Sequence, residues 1–79
     1  MDNTFILLNY KKITSKKNNK DYLIYNVLLN NDYLLKLFHS YDEILEQYLI
    51  NNTNEDISDD VQMVFDSNIM AFKPYIKYK

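Results

Sequence analysis

The stretch TFILLNYKKITSKKNNKDYLIYNVLL, residues 4–29, consists of two apolar runs on either side of a short polar segment. The runs, at 4–14 and 21–29, are rich in aromatic and branched side chains, which favour β-strands. The segment between them, SKKNNK at 15–20, holds the polar residues that are typical of a turn. The stretch therefore predicts a β-hairpin whose two strands are joined by a basic loop.

The residues that follow predict a third strand and a helix. NND at 30–32 predicts a turn into YLLKLFH, a strand at 33–39. Ser40 and Glu43 have the spacing of a capping box at the start of a helix. One face of this helix collects apolar side chains, namely Ile44, Leu45, Tyr48 and Leu49.

The last third of the chain predicts a loop and a closing hairpin. NNTNEDISDD at 51–60 has the composition of a solvated loop, and VQMVF and IMAFKPYIKY then flank the turn signal DSN. Pro74 places the final strand at a sheet edge or a bulge. The predicted elements are strands at about 4–14, 21–29, 33–39, 60–66 and 69–78 and a helix at about 41–50. This order, β-β-β-α-β-β, predicts a mainly β protein with one helix.

The more hydrophobic stripe of each element is expected to form the core. In the second strand we expect Leu23, Val27 and Leu29 to point inward, with Tyr22 outward and Tyr25 in the core or at its rim. Met63 and Met70 are expected to fill gaps in the core. The full predicted core is Ile6, Leu8, Leu23, Val27, Leu35, Leu37, Ile44, Leu45, Leu49, Val61, Met63, Phe65 and Phe72.

Composition bounds the class of protein. With 79 residues, of which 47% are hydrophobic, residues 1–79 are expected to form a single small domain. Cysteine and glycine are both absent, which excludes disulfides, thiolate metal sites and glycine-rich phosphate loops, and leaves asparagine to take left-handed turn positions. An acid precedes the first short apolar run, unlike a secretory signal, so we expect a cytoplasmic protein with no membrane contact.

The sequence predicts neither an enzyme nor a cofactor. Its acids cluster near the start of the helix and in NEDISDD, where capping and solvation account for them. The loop lacks the glycine and the spacing of an EF-hand. The single histidine, His39, lies at a strand-to-helix junction and is expected to be structural. We therefore expect no catalytic residue, no metal site and no cofactor.

Three meandering strands, a helix and a final hairpin form the order of the five-stranded OB-fold barrel. From about Thr4 to Tyr78 the chain resembles a minimal OB-fold, and it is similar to the small single-stranded-DNA-binding proteins of phages and mobile elements. The resemblance implies binding of single-stranded nucleic acid, with ssDNA favoured, by strands 2 and 3 and by the loops between strands 1 and 2 and between strands 4 and 5. Because the glycines of sharp barrel bends are absent, an open twisted antiparallel sheet with one helix packed on it is the alternative.

Charge is distributed unevenly along the chain, with +3 over residues 1–40, −8 over 41–66 and +3 over 67–79. Screening over about 8 Å allows a local basic face to act on a polyanion although the net charge is −2. Lysines and aromatic residues coincide in two segments, a combination that serves single-strand binding. The candidate nucleic-acid-binding residues are Lys11, Lys12, Lys16, Lys17, Lys20, Tyr22, Tyr33, Phe38, Lys73, Tyr75 and Lys77.

A second hypothesis uses the acidic segment. A small acidic protein of a phage or mobile element can inhibit a basic host protein, one that binds nucleic acid or acts in defence, by presenting a row of phosphate-like charge. The candidate acidic surface is Asp42, Glu43, Glu46, Glu55, Asp56, Asp59 and Asp60. A third hypothesis is a structural subunit that forms a homodimer through an exposed strand edge.

Overall fold

The computed structural model describes residues 3–79, which form two antiparallel sheets and one α-helix. A sheet of order β1-β2-β3 precedes the helix, and a two-stranded sheet, β4-β5, follows it. The elements are β1 (Phe5–Thr14), β2 (Asp21–Leu29), β3 (Tyr33–Ser40), α1 (Glu43–Asn51), a 3₁₀ helix (Ser58–Asp60), β4 (Val61–Asp66) and β5 (Ala71–Ile76). The predicted class and element order are confirmed. No closed barrel is found within residues 3–79.

Asparagine occupies most of the tight turns, as the absence of glycine predicts. In the part of the chain that the structure describes, positive φ angles occur at Asn19, Asn30, Asn31 and Asn54, and also at Met70. Asparagine tolerates the left-handed region because its short polar side chain can hydrogen-bond locally. Met70, with a φ of 53°, has no such compensation.

A β-bulge in β1 decides which of its side chains reach the core. Thr14 pairs with Asp21, and the register continues without interruption to Asn9, which pairs with Asn26. The register then shifts by one residue, so that Leu7 and not Leu8 lies opposite Val27. Because successive strand residues point to opposite faces, the shift places Phe5 and Leu7 inside. The prediction that Ile6 and Leu8 form the core is therefore wrong, since both are only half-buried.

The core lies between the inner face of the three-stranded sheet and helix α1. Leu23 and Val27 of β2 are buried as predicted, and they are joined by Leu45 and Leu49 of the helix. The complete buried set is Phe5, Leu7, Leu23, Tyr25, Val27, Leu45, Leu49, Ile57 and Ile76. The half-buried Leu35, Leu37 and Val61 pack against this set, which supports their assignment to the core side.

Helix α1 begins at a different residue from the one that the capping-box spacing predicts. Ser40 is the last residue of β3, and the N-cap is Asp42, whose carboxylate accepts hydrogen bonds from the backbone N–H groups of Ile44 and Leu45. Leu45 and Leu49 are the buried residues of the helix. Ile44 is 56% exposed, so its assignment to the core is wrong.

The segment after the helix is more ordered than its polar sequence predicts. The backbone N–H of Leu7 donates to Glu55, the N–H of Asn54 donates to Leu7, and the N–H of Ile57 donates to Phe5. These bonds occupy part of the outer edge of β1, opposite the edge that pairs with β2. They also carry Ile57 into the core, where it is 2% exposed. The prediction of a solvated loop is therefore wrong for Ile57, whereas Asn54, Glu55 and Asp56 are exposed as predicted.

The β4-β5 hairpin is regular but leaves much of its apolar surface exposed. Phe65 pairs with Phe72, and Met63 pairs with Pro74. Their side chains point to the same face as the buried Ile76 at the hairpin base, so the predicted alternation holds. However, Met63, Phe65 and Phe72 are exposed, because the strands extend beyond the body of the domain. Their assignment to the core is wrong, and so is that of Met70.

Candidate nucleic-acid interface

The outer face of the three-stranded sheet lies on the opposite side from the core and carries no carboxylate. We define this face as the side chains that alternate away from helix α1. They are Ile6, Asn9, Lys11 and Ile13 of β1, Tyr22, Ile24, Asn26 and Leu28 of β2, and Leu34, Lys36, Phe38 and Ser40 of β3. Its ionisable groups are thus two lysines and one tyrosine, and the face is positive.

Two aromatic side chains lie close together on the outer face. Tyr22 pairs with Ser40, and Phe38 lies two residues before Ser40 on the same strand, so Tyr22 and Phe38 are diagonal neighbours. Such neighbours are about 7–8 Å apart, within reach of aromatic side chains. Phe38 is 75% exposed. Because an exposed phenyl ring loses no packing when it contacts a ligand, Phe38 is well placed to stack on one.

A groove of about 360 Å³ joins these aromatic residues to the basic loop between β1 and β2. It connects the tip of the hairpin to the middle of the outer face. Its lining residues are Ile13, Ser15, Lys17, Asn18, Tyr22, Ile24 and Phe38. The predicted residues Lys17, Tyr22 and Phe38 are therefore brought together by the fold, although they are distant in sequence.

The basic loop is held in a defined shape by its own hydrogen bonds. The N–H of Ser15 donates to the carbonyl of Lys20, and the N–H of Asn19 donates to the carbonyl of Ser15. The side-chain amide of Asn18 donates to the Tyr22 hydroxyl at 3.0 Å. These bonds hold the loop next to the outer face. The side chains of Lys16, Lys17 and Lys20 are exposed to solvent.

Lys11 and Lys12 are adjacent in sequence but lie on opposite faces of the sheet. Lys11 pairs with Ile24 on the outer face. Lys12 pairs with Leu23, and its ammonium group lies 3.9 Å from the Asp21 carboxylate and 4.4 Å from the centre of the Tyr41 ring. Lys12 is thus engaged by its own chain, and Lys11 alone of the two belongs to the outer face.

Lys36 belongs to the same surface but was not among the sequence-predicted residues. It pairs with Asn26, next to the Asn26–Asn9 side-chain hydrogen bond at the centre of the outer face. Its spacing of two residues from Phe38 places the two side chains on one face. Strand alternation could have identified Lys36 from the sequence once Phe38 had been chosen.

The predicted residues of β5 line a second, smaller cleft. A space of about 120 Å³ between β3 and β5 is lined by residues that include Phe38, Lys73 and Tyr75. Phe38 thus borders both the groove and this cleft. Lys73, however, forms an ion pair with Asp66 at 3.0 Å. Tyr75, which is 49% exposed, is the better candidate of the two, because Lys73 must give up its ion pair with Asp66 before it can bind a phosphate.

Two further predicted residues lie apart from the groove. Tyr33 pairs with Leu29 at the opposite end of the sheet from Tyr22, and alternation places its side chain on the inner side. It is 61% exposed because the core ends before that position. Lys77 follows β5, where its backbone N–H donates to Asp60. The fold brings neither residue to the groove.

Most of the candidate acidic surface is engaged in hydrogen bonds within the chain. Glu46 accepts from the hydroxyls of Tyr10 and Tyr41, and Asp60 accepts from that of Tyr48. Asp42 caps the helix and also accepts from Tyr78 and Lys79, while Asp56 accepts from Ser58. The exposed Glu43, Glu55 and Asp59 lie on three different segments. Asp42, Glu46, Asp56 and Asp60 therefore take part in hydrogen bonds within the fold.

The tyrosine–carboxylate pairs have a predictable effect on stability at high pH. Desolvation, together with a hydrogen bond to Asp60, raises the pKa of Tyr48, and desolvation with a hydrogen bond to Asp42 raises the pKa of Tyr78 to about 12. A raised pKa stabilises the fold below the unfolded-state value of about 10, and this contribution is lost as the pH rises through the folded-state value.

We expect the free energy of unfolding to fall between pH 10 and about 12, as the hydroxyl of Tyr78 ionises. The raised pKa of Tyr48 contributes in the same direction. Urea denaturation at a series of pH values measures this loss. Tyr78→Phe should show a shallower decline, because phenylalanine has no hydroxyl to ionise. An equally steep decline in the variant would contradict the assignment.

Comparison of the chain with protein-family models, curated protein sequences and solved structures gives no match. None of the helices in residues 3–79 is long and apolar enough to cross a membrane. Over the same residues, no group of three or more histidine or acidic side chains is arranged to hold a metal ion.

Proposed function

We propose that this protein binds single-stranded nucleic acid, with ssDNA favoured, on the outer face of its three-stranded sheet. The observation that carries the proposal is the carboxylate-free groove in which Lys17, Tyr22 and Phe38 converge. Proteins that bind single strands combine a positive groove with flat side chains on which bases stack. The outer face supplies both components, and the exposed loop lysines extend its positive charge.

We expect two kinds of side chain to contact the nucleic acid. Tyr22 and Phe38 stack with bases, which requires bases that are unpaired and free to leave their neighbours. Lys11 and Lys36 on the face, together with the three lysines of the loop, contact the phosphates. No carboxylate within 4 Å of any of these five ammonium groups is found in residues 3–79. A duplex should bind less well, because its bases are already stacked and paired.

The acidic side of the molecule does not oppose this mode. Asp42 and Glu46 lie at the start of helix α1, on the other side of the sheet, and their charges are held by tyrosines and by Lys79. At physiological salt, charges more than about 8 Å apart are largely screened. The outer face should therefore attract phosphate despite the net charge of −2.

The same proposal extends to architecture: we interpret the two sheets as an OB-like barrel that is open between β3 and β5. Support comes from the bonds of residues 54–57 to β1 and from the cleft that β3 and β5 line together. Neither contact is a pairing of two strands, since β1, β2 and β3 form one sheet and β4 and β5 form a second one within residues 3–79. In OB-folds, the face of strands 2 and 3 and the loop between strands 1 and 2 form the ligand surface.

Fluorescence anisotropy with a labelled oligo-dT and an equal-length duplex tests the function. We expect the single strand to bind more tightly, and we expect the affinity to fall steeply with salt. Five lysine–phosphate contacts predict a slope of about −3.5 in a plot of log affinity against log salt, from about 0.7 per contact. Failure to bind either probe at low salt would contradict the proposed function.

The adjacent lysines of β1 provide a matched test of the face. Lys11→Ala should weaken oligo-dT binding and flatten the salt slope by about 0.7, because one phosphate contact is lost. Lys12→Ala removes the same charge from the opposite face and should leave the slope unchanged. Titrations of both variants at several salt concentrations measure the difference. Equal effects of the two substitutions would show that net charge, and not the outer face, governs binding.

A further inference from the structure

The β4-β5 hairpin carries an apolar face that the domain itself does not cover. We define the hairpin face as the side chains that alternate with the buried Ile76. They are Val61, Met63 and Phe65 of β4 and Phe72, Pro74 and Ile76 of β5. All six are apolar. The face is continuous with the core, since Ile76 is buried and Val61 packs against the buried set.

Exposure increases from the base of the hairpin to its tip. Met63, Phe65 and Phe72 on the face, and Ile69 and Met70 at the tip, are between 40% and 75% exposed. The radius of gyration of 12.9 Å exceeds the roughly 11.6 Å expected for a compact chain of 79 residues. The apolar face of the hairpin thus continues from the buried Ile76 to exposed side chains near the tip.

We propose that a second copy of this chain covers the hairpin face, and that two hairpins pack face to face. This inference is independent of nucleic-acid binding, because it uses different residues on a different sheet. Phe65 and Phe72 form an edge-to-face pair with ring centres 5.3 Å apart, next to Met63 on the same face. Aromatic and methionine side chains are the residue types enriched at the centres of interfaces.

The exposed area is sufficient for a homodimer. If a fully exposed aromatic or methionine side chain presents about 200 Å², the five exposed residues offer roughly 500 Å² per chain. Two copies then bury roughly 1,000 Å² in total, which is the lower limit for a specific interface. A smaller patch would not favour a stable pair of identical chains.

The charge of the hairpin also favours a second copy over a charged partner. Residues 61–76 contain one acid and one base, Asp66 and Lys73, which form an ion pair. Two hairpins can therefore approach without repulsion, whereas a basic protein or a nucleic acid finds no opposite charge there. Lys73 and Pro74 disfavour edge-to-edge pairing along β5, so packing through the face is the better geometry.

Met70 supports an interface at the hairpin tip. Its φ of 53° is a left-handed conformation, which is unfavourable for a residue with a β-carbon. The side chain is nevertheless 75% exposed, so burial within the chain does not offset this conformation. Strained and exposed residues are found preferentially at functional sites.

Sedimentation analysis of the wild type and two hairpin variants tests the proposal. The wild type should approach twice the 9.6 kDa mass of one chain as its concentration rises. Phe72→Glu places a charge on the hairpin face and should weaken association at least about tenfold. Val64→Glu places the same charge on the opposite face of the same hairpin and should leave association intact.

Circular dichroism and urea denaturation of Phe72→Glu check that the variant is folded, which we expect because Phe72 is exposed. A wild type that remains monomeric up to about 1 mM would overturn the proposal and leave the face to a different protein. Loss of the dimer in Val64→Glu, or its retention in Phe72→Glu, would overturn the assignment to this face. In methyl NMR spectra, the signals of Met63 and Met70 should shift with concentration.

Discussion

Leu45→Ala is expected to lower the free energy of unfolding by about 2–5 kcal/mol. Leu45 is fully buried between helix α1 and the inner face of the sheet, so truncation removes apolar contact and leaves a cavity. The whole domain is expected to have only about 4–12 kcal/mol of stability, from about 0.05–0.15 kcal/mol per residue. The substitution therefore removes a large fraction of that stability. Leu49→Ala should have a similar effect for the same reason.

Urea denaturation followed by circular dichroism measures the loss, and the neighbouring isoleucines provide matched controls. Ile44 and Ile50 are adjacent in sequence to the two leucines but are exposed. Ile44→Ala and Ile50→Ala should change stability by no more than about 0.5 kcal/mol. In thermal unfolding, the leucine variants should lose roughly 8–40 °C, at about 4–8 °C per kcal/mol. Equal losses in all four variants would contradict the observed rotation of the helix.

Phe38→Ala is expected to weaken oligo-dT binding by about 1–3 kcal/mol, or roughly 5- to 150-fold, because one base loses its stacking partner. Tyr22→Ala should have an effect of the same size. Neither change alters the charge of the outer face, so the salt slope should remain as in the wild type. This combination of lower affinity and unchanged slope distinguishes stacking from phosphate contact.

Tyr33→Ala is the matched control for both aromatic variants. Tyr33 is exposed to a degree similar to Phe38, but it lies at the other end of the sheet and on the other face. Its replacement should leave affinity and slope unchanged. If Tyr33→Ala weakens binding as much as Phe38→Ala does, the ligand does not lie on the outer face. Thermal unfolding of each variant shows whether a loss of affinity reflects a loss of folded protein.

If the protein both self-associates and binds nucleic acid, its dimer would present two outer faces, one from each chain. Because the hairpin face and the groove share no residue, one chain can use both at the same time. A dimer would then hold one longer strand at two sites, and linked sites bind more tightly than either does alone. Phe72→Glu would retain binding to short oligonucleotides but would lose this gain on long ones.

The elements of this fold could be predicted from the sequence, because local patterns determine them. The runs at 4–14 and 21–29 match β1 and β2 within one residue, and the helix is displaced by no more than two. Buried Leu23, Val27, Leu45 and Leu49 were also predictable, since each lies on the apolar stripe of a strongly periodic segment. Asparagine in left-handed turns followed from the absence of glycine.

The site was predictable only in part. Lys17, Tyr22 and Phe38 could be chosen from the coincidence of basic and aromatic residues. Lys11 and Lys12 lie on opposite faces of the sheet, and Tyr22 and Tyr33 lie at opposite ends of it. These positions depend on how the strands pair. Lys36 could have been included because it shares a face with Phe38. The ion pair of Lys73 with Asp66 depends on the pairing of β4 with β5.

By itself, the sequence determined the class of fold, the order of its elements and the composition of its basic hairpin. The tertiary structure decided which side of each element is inside. A single extra residue in β1 exchanges Ile6 and Leu8 for Phe5 and Leu7, and the packing of helix α1 buries Leu45 and Leu49 and leaves Ile44 exposed. Local propensity determines where a strand or helix forms. Which side of a strand points into the core depends on its register, and hydrogen bonds between residues distant in sequence set that register.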